Sequence, residues 1–269
     1  MHIIVTGGTD GIGLALVKKL LELNHTVFMI GRNYEKGNKI LNLLSNPRLE
    51  FFQCDLSEHE EIKKLLIKLN KIDQIDVLVN NAGAVFDKRV TNSKGIEKTF
   101  ALNHLSYLQL SIGLKEKLEK SDISRIINIS SDAHKRYKLD IDDLENSKKY
   151  NGWKAYCQSK LLNTLITYSF QKELNTKISC NCLHPGFVNS NFGNNNKSIL
   201  RSLIQILKNI FAISSDKAAL APLFLATAPE LKVVNAKYFF KLKEKKSSNE
   251  SYDVDLANQV WIKSMNYIK

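Results

Sequence analysis

Tyr156 and Lys160 stand four residues apart in Trp153-Lys154-Ala155-Tyr156-Cys157-Gln158-Ser159-Lys160. On a helix an i,i+4 pair shares one face, so the phenol and the ammonium would point into the same space. A phenol ordinarily titrates near ~10 and exchanges protons poorly at neutrality. A cation held beside it favours the phenolate and lowers that value. Moving it to about 7 takes on the order of 4 kcal/mol, more than Lys160 alone would supply. The pair reads as proton-transfer machinery. Ser130 and Ser131 close the apolar run Ile127-Asn128-Ile129 and offer hydroxyls that could serve such a site or simply end a strand.

Such a pair needs elements to place it and a partner to work on. The chain opens with His2-Ile3-Ile4-Val5-Thr6-Gly7-Gly8-Thr9-Asp10-Gly11-Ile12-Gly13 and continues Leu14-Ala15-Leu16-Val17-Lys18-Lys19-Leu20-Leu21. An apolar β-branched run meets glycines and passes into an amphipathic helical pattern, which predicts strand, tight turn and helix N-terminus. Backbone N–H groups and the helix dipole at such a turn suit a pyrophosphate. The glycines follow Thr-Gly-x-x-x-Gly-x-Gly, not the commoner Gly-x-Gly-x-x-Gly spacing. A second strand, Thr26-Val27-Phe28-Met29-Ile30, leads to Gly31-Arg32-Asn33. An acidic residue here would bind a ribose 2′-hydroxyl, whereas an Arg accommodates a 2′-phosphate. Arg32 is either that phosphate ligand or an exposed loop residue; the fork-shaped guanidinium favours NADP(H) over NAD(H).

With these segments in view, the chain resembles the short-chain dehydrogenase/reductases, and within them the retinol-dehydrogenase-like branch. Thr6, Gly7, Gly11, Ile12 and Gly13 match the cofactor turn, and Asp55-Leu56 the acidic position near the adenine. Asn80-Asn81-Ala82-Gly83, Asn103-His104-Leu105, the serine strand ending at Ser131, and Pro185-Gly186-Phe187-Val188 follow in the family's order. The long interval from Ser131 to Tyr156, the Ser131-Asp132-Ala133-His134 run and Trp261-x-x-Ser264 point to the branch. The resemblance implies hydride transfer between nicotinamide and a carbonyl or alcohol carbon. Tyr156 would serve as proton donor, Lys160 would lower its pKa and bind the nicotinamide ribose, and Ser131 would polarise the substrate oxygen. Asn103 would support a water-linked relay, or merely bend its helix. Asn81, Ala82, Gly83, Pro185, Gly186, Val188 and Ser190 join the cofactor set, Ser190 standing where the family usually has Thr. Many members form homodimers through the helices that carry Asn103 and Tyr156.

A length of 269 residues suits one α/β domain spanning 1–269. Apolar runs alternate with helical patterns, predicting a doubly wound Rossmann-type domain, a parallel sheet of about seven strands with helices on both faces. Further strands are expected near 76–79, 124–130, 178–184 and 237–240, and long helices near 57–72, 95–118 and 153–175. No linker or repeat interrupts the pattern. Lys+Arg 39 against Asp+Glu 27 gives a net charge of +12, locally concentrated at Lys241-x-Lys243-x-Lys245-Lys246. Without stacking aromatics or a nucleic-acid motif, this reads as solvated surface and not as a nucleic-acid site. Cys54, Cys157, Cys180 and Cys182 read as free thiols in a reducing, cytoplasmic setting. Neither they nor His104, His134 and His184 have metal-ligand spacing, so no metal is expected.

No uninterrupted apolar run is long enough to cross a bilayer. The chain begins on its first strand, unlike many retinol-dehydrogenase-like proteins with an N-terminal membrane segment, which weakens a retinoid assignment. The stretch from Ser198 to Phe211 has apolar residues at helical spacing and falls where relatives vary with substrate. It could be a lid over a lipophilic substrate (a segment near 190–213), a packing helix, or a peripheral membrane contact. The expected function is NADP(H)-dependent oxidoreduction of a lipophilic carbonyl or alcohol. The alternative is a catalytically silent NADP(H)-binding regulatory or scaffold protein of the same fold.

Overall fold

The structure, a computed structural model, describes residues 1–186 and 214–269. Its strands are β1 (His2–Thr6), β2 (Thr26–Gly31), β3 (Leu49–Gln53), β4 (Val77–Asn80), β5 (Arg125–Ile129), β6 (Ser179–His184), β7 (Tyr238–Phe240) and β8 (Lys243–Glu244). They form one sheet in the order β3-β2-β1-β4-β5-β6-β7-β8. All neighbours are parallel except β7 and β8, a short antiparallel hairpin that brings the strand count among the described residues to eight. So short an edge strand carries too little periodic pattern to be read in advance.

The strands are buried on both faces because helices cover both. Ile4, Phe28 and Ile30 pack on one side with residues of α3 (His59–Lys68), α5 (Gly152–Leu174) and α7 (Val254–Ile268). Ile3, Val5, Val27 and Met29 point the other way, toward α1 (Gly11–Glu22), α2 (Tyr34–Leu44) and α6 (Leu220–Thr227). Successive strand side chains alternate between two cores, so near-continuous apolar runs such as Val77-Leu78-Val79 are required. Arg125, 4% exposed, starts β5 and donates to the carbonyls of Leu225 and Ala228 at 2.9 Å each, locking the end of α6 to the sheet.

The expected long helix over 95–118 is not continuous. The element here called α4 runs as α-helix over Lys98–Phe100, π-helix over Ala101–Leu105 and α-helix over Ser106–Gly113. Ser106 N–H donates to Ala101 carbonyl, a five-residue step that inserts one extra residue into the turn. Glu97 caps the start through its carboxylate, which accepts from Thr99 and Phe100. A further short helix covers Lys115–Glu119. The expected helix over 57–72 likewise shortens to α3 and a following 3₁₀ turn, Leu69–Lys71.

Strand order reverses between β1 and β4, the place where parallel sheets open a crevice at their carboxyl ends.

Candidate functional site

A cleft of about 590 Å³ lies at that crevice. It is lined by the glycine turn, Arg32, Asp55, Leu56, the Asn81–Gly83 turn, Ser131, Tyr156, Lys160, Pro185 and Gly186. Its floor is built from two turns tied together. Thr6 Oγ1 accepts from the N–H groups of Asn81 and Ala82 at 2.8 and 3.0 Å, while Asn81 Nδ2 donates to Thr6 carbonyl at 2.8 Å. Gly7 turns in the left-handed region at φ +64°, a conformation open to glycine at little cost. At Gly13 a Cβ would stand 2.2 Å from the Gly7 carbonyl oxygen, so no side chain fits where the helix meets the turn. The first turn of α1 leaves the Ile12 and Gly13 amides without intrahelical acceptors. These features fit a dinucleotide's pyrophosphate.

Toward the β2 end, Arg32 is exposed, lines the cleft and forms no ion pair with a carboxylate among the described residues. Two residues the sequence reading passed over stand with it. Asp10 caps α1 by accepting from Gly11 N–H at 2.7 Å, and its other oxygen meets Lys36 Nζ at 2.5 Å. A polar residue immediately before a helical glycine is a capping signal that could have revealed Asp10. Lys36, on α2, reaches it only through tertiary packing. Asp55 Oδ1 accepts from both the N–H and the hydroxyl of Ser57, which fixes the Asp55-Leu56 bend under the cleft.

At the other end, α5 carries Tyr156 and Lys160 on one face, as their spacing predicts. Lys160 Nζ lies 5.7 Å from the Tyr156 ring centre and 5.5 Å from that of Tyr107, and donates to the Ile129 carbonyl at 2.8 Å. Tyr156 is hydrogen-bonded to Ser131. Trp153, one turn earlier, stacks on the Tyr156 ring at 5.6 Å and also lines the cleft. The i,i+3 spacing of two aromatics could have shown this.

The electrostatics depart from expectation. Burial raises the Tyr156 phenol above its ordinary value, and the Ser131 hydrogen bond offsets only part of that. Lys160 is itself depressed to about 7 by the same desolvation. A cation so easily lost in an enclosed site cannot acidify its neighbour strongly, so the expected lowering of Tyr156 by Lys160 is not found in this arrangement.

The adjacent serines divide their tasks. Ser130 is buried, donating to the Lys160 carbonyl at 3.0 Å and meeting Thr164 Oγ1 at 3.1 Å. Ser131 faces the cleft as cap of a 3₁₀ turn, Asp132–Lys135. His134 braces that turn. Its Nδ1 donates to the Ser131 carbonyl at 2.6 Å, and its Nε2 accepts from Ser248 N–H at 3.0 Å. Acceptance at Nε2 requires the neutral ring with its proton on Nδ1, and burial depresses its pKa accordingly.

Asn103 sits in the π segment, fully buried. Its Oδ1 accepts from Ala84 N–H at 2.9 Å, and its Nδ2 donates to Ala84 carbonyl and Ser159 Oγ at 2.9 and 3.0 Å. Its backbone carbonyl accepts from Asn163 Nδ2 at 2.8 Å. Beside it, His104 pairs Nδ1 with Asn163 Oδ1 at 3.3 Å and Nε2 with Ser264 Oγ at 2.8 Å. The Trp261-x-x-Ser264 motif thereby has a place: Ser264 bolts α7 to α4, and Trp261 packs edge-on against Phe170 of α5. Val188, Ser190 and the 190–213 segment, with its 198–211 apolar stretch, lie outside the described residues.

The match to a family model described as short chain dehydrogenase covers residues 1–199. The chain belongs to the short-chain dehydrogenase family. It is 32% identical to polyprenol dehydrogenase of Homo sapiens over 274 residues, spanning 97% of this chain and 83% of that one. Against retinol dehydrogenase 13 of Homo sapiens it is 32% identical over 273 residues, spanning 97% and 82%. These matches place it with the retinol-dehydrogenase-like branch of a family of oxidoreductases that use NAD(P)(H). Among solved structures, an uncharacterized protein from Mycobacterium paratuberculosis superposes with TM-score 0.81 at 23% identity, covering 99% of this chain and 92% of the other. A closed form of serine dehydrogenase complexed with NADP+ gives TM-score 0.72 at 22% identity, covering 93% and 97%. At such identity these two structures speak for the fold.

Proposed function

We propose that this chain interconverts the alcohol and carbonyl forms of a lipophilic small molecule in the cytoplasm, with NADP(H) as redox partner. The observation that carries the reading is the convergence of Tyr156, Lys160 and Ser131 in the cleft that also holds the glycine turn. Bound there, the nicotinamide dinucleotide supplies or accepts the hydride. Gly7, Gly11, Ile12 and Gly13 would receive the pyrophosphate, Asp55 and Leu56 the adenine side, and Arg32 with Lys36 the 2′-phosphate. Asn81, Ala82, Gly83, Pro185 and Gly186 would line the nicotinamide half.

In the reducing direction Tyr156 gives its proton to the substrate oxygen as general acid. Burial keeps the phenol protonated at neutral pH, so the proton is in place. The same burial makes it a weaker acid that only the developing alkoxide is basic enough to deprotonate. Ser131 donates to the same oxygen and keeps it in line. Lys160 would hold the nicotinamide ribose. Asn103 acts as a positioning residue, clamping the Ala84 turn to α4 and Ser159 to the base of the site.

A lipophilic substrate is supported by the names of the relatives, a polyprenol dehydrogenase and a retinol dehydrogenase, which point to long isoprenoid alcohols and aldehydes. The cytoplasmic setting draws support from four buried free cysteines. No helix among the described residues is long and apolar enough to cross a membrane. The homodimer implied by the resemblance would meet at α4 and α5; in this chain α7 packs on both helices.

The test is NADPH consumption across isoprenoid and medium-chain aldehydes. The parent should turn over at least one of them, and Tyr156→Phe should lose about 10²-fold or more in kcat, the usual share of a positioned general acid. A parent inert toward every carbonyl, while still binding NADPH, would sink the catalytic reading.

A further inference from the structure

Beside the cleft, two loops present a basic face. The β7–β8 hairpin exposes Lys241, Leu242, Lys243, Lys245 and Lys246. The segment after the Ser131 turn exposes Lys135, Arg136, Tyr137 and Lys138. The loops are joined to each other. Tyr238 OH donates to Asp132 at 2.9 Å, the His134 and Tyr238 rings meet at 5.1 Å, and Lys135 Nζ lies 5.8 Å from the Tyr238 ring centre. Two carboxylates of this face are already occupied, Asp132 by Lys135 at 3.2 Å and Glu244 by Lys237 at 2.9 Å. Arg136, Lys138, Lys241, Lys243, Lys245 and Lys246 pair with no carboxylate among the described residues.

This face also carries apolar tips. Leu242 is 50% exposed and Tyr137 38% exposed, each flanked by cations. The two-residue turn places Lys241 at φ +56°, where glycine or asparagine is the usual occupant, and holds Lys241 and Leu242 at the hairpin's apex. The hairpin stands one ring from the cleft: His184, a cleft residue, stacks on Phe240 at 5.4 Å, and Lys245 Nζ covers that ring at 4.7 Å.

We propose that the face formed by the β7–β8 hairpin and the 135–138 loop docks on an anionic phospholipid bilayer, turning the cleft mouth toward the membrane. Cations surrounding single exposed apolar tips match a surface that is negatively charged outside and greasy just beneath. Base readout would call for a series of stacking platforms, and only Tyr137 of this face's aromatics is exposed: Phe240 lies under lysines and Tyr238 is buried. The inference rests on this surface and is independent of the reaction proposed above.

The full chain is tested by co-sedimentation with vesicles of phosphatidylcholine alone and of phosphatidylcholine mixed with phosphatidylserine. Binding should require the anionic lipid and fall as salt is raised. Each lysine near such a surface is worth about fivefold in partitioning, so Lys241→Glu, Lys243→Glu, Lys245→Glu and Lys246→Glu together should cost on the order of a hundredfold or more. Leu242→Ser should cost several-fold with little change in salt dependence. The equivalent reversal on α3 and its following turn, Lys63→Glu, Lys64→Glu, Lys68→Glu and Lys71→Glu, should leave hairpin docking largely in place. Unchanged thermal midpoints establish that the variants fold. Equal binding to both vesicles, no binding to either, or a hairpin variant that partitions like the parent would overturn the proposal. So would displacement by duplex RNA that binds more tightly than the vesicles, which would assign the face to nucleic acid.

Discussion

At the β2 end of the cleft, Arg32 has no carboxylate partner among the described residues, whereas Lys36 shares its charge with Asp10. Arg32 should therefore dominate cofactor discrimination. Arg32→Ala is expected to weaken NADPH binding by about 10- to 100-fold, the size of a lost charge-assisted contact, and NADH binding by less than about threefold. Fluorescence titration of both nucleotides checks this; equal losses would remove the 2′-phosphate assignment. Lys36→Ala should cost less, because half of its job is to neutralise Asp10. The Tyr156–Lys160 pair was legible because helical periodicity projects four-residue spacing onto one face. The Lys36–Asp10 contact was not, since it spans two helices and depends on how α2 enters. The sign of the phenol's shift was equally hidden: residue types reveal the neighbouring cation, while burial, which outweighs it here, exists only in the folded chain.

At the scale of elements, the π segment of α4 turns Asn103 toward Ala84 and Ser159 and aims His104 at α7. Its support comes from 160 residues away, where Ser264 gives His104 its second partner. Ser264→Ala leaves a buried ring nitrogen unsatisfied and should lower unfolding stability by about 1–3 kcal/mol in urea titrations. A double-mutant cycle with His104→Phe should recover part of that loss, because removing both polar partners removes the desolvation penalty. Strict additivity would mean that the two side chains do not cooperate. The strands and α5 were readable in outline from alternating and continuous apolar runs. The break in α4 was not, because a π-turn leaves the apolar spacing nearly helical while adding one residue. The Ser264 motif could be recognised, yet nothing local in the sequence names its partner.

For the molecule as a whole, buried titratable groups set a defined pH window. Burial holds His104 and His184 at about 4, below the ordinary 6.5, so the stability they permit is present above 6.5 and lost as pH falls toward 4. Lys160, at about 7 against 10.5 when unfolded, works on the alkaline side: stability rises as pH climbs from 7, because the unfolded chain keeps a proton that the fold releases. Cys54, Cys157 and Cys182, raised to about 12, oppose this above 9, where unfolded thiols ionise. Unfolding free energy should therefore peak between about pH 8 and 9 and drop by up to ~1.4 kcal/mol per pH unit per buried histidine on acidification. Lys160→Met should flatten the slope between 7 and 9. A parent that grows more stable from pH 7 to 4.5 would contradict the assignment of neutral, desolvated rings. The net charge of +12 and its local run of lysines at 241–246 were visible in the sequence, but the placing of that run beside the 135–138 loop emerged only when β8 turned back along β7.

The long reach of the C-terminal ties has a bearing on biosynthesis. Ser131's turn leans on Ser248 through His134, and the Asn103 segment leans on Ser264. A nascent chain still threaded in the ribosome could already shape the glycine turn and the first half of the sheet, yet lack both props. The serine turn and the π segment would then reach their final geometry only once Ser248 and α7 have emerged and docked.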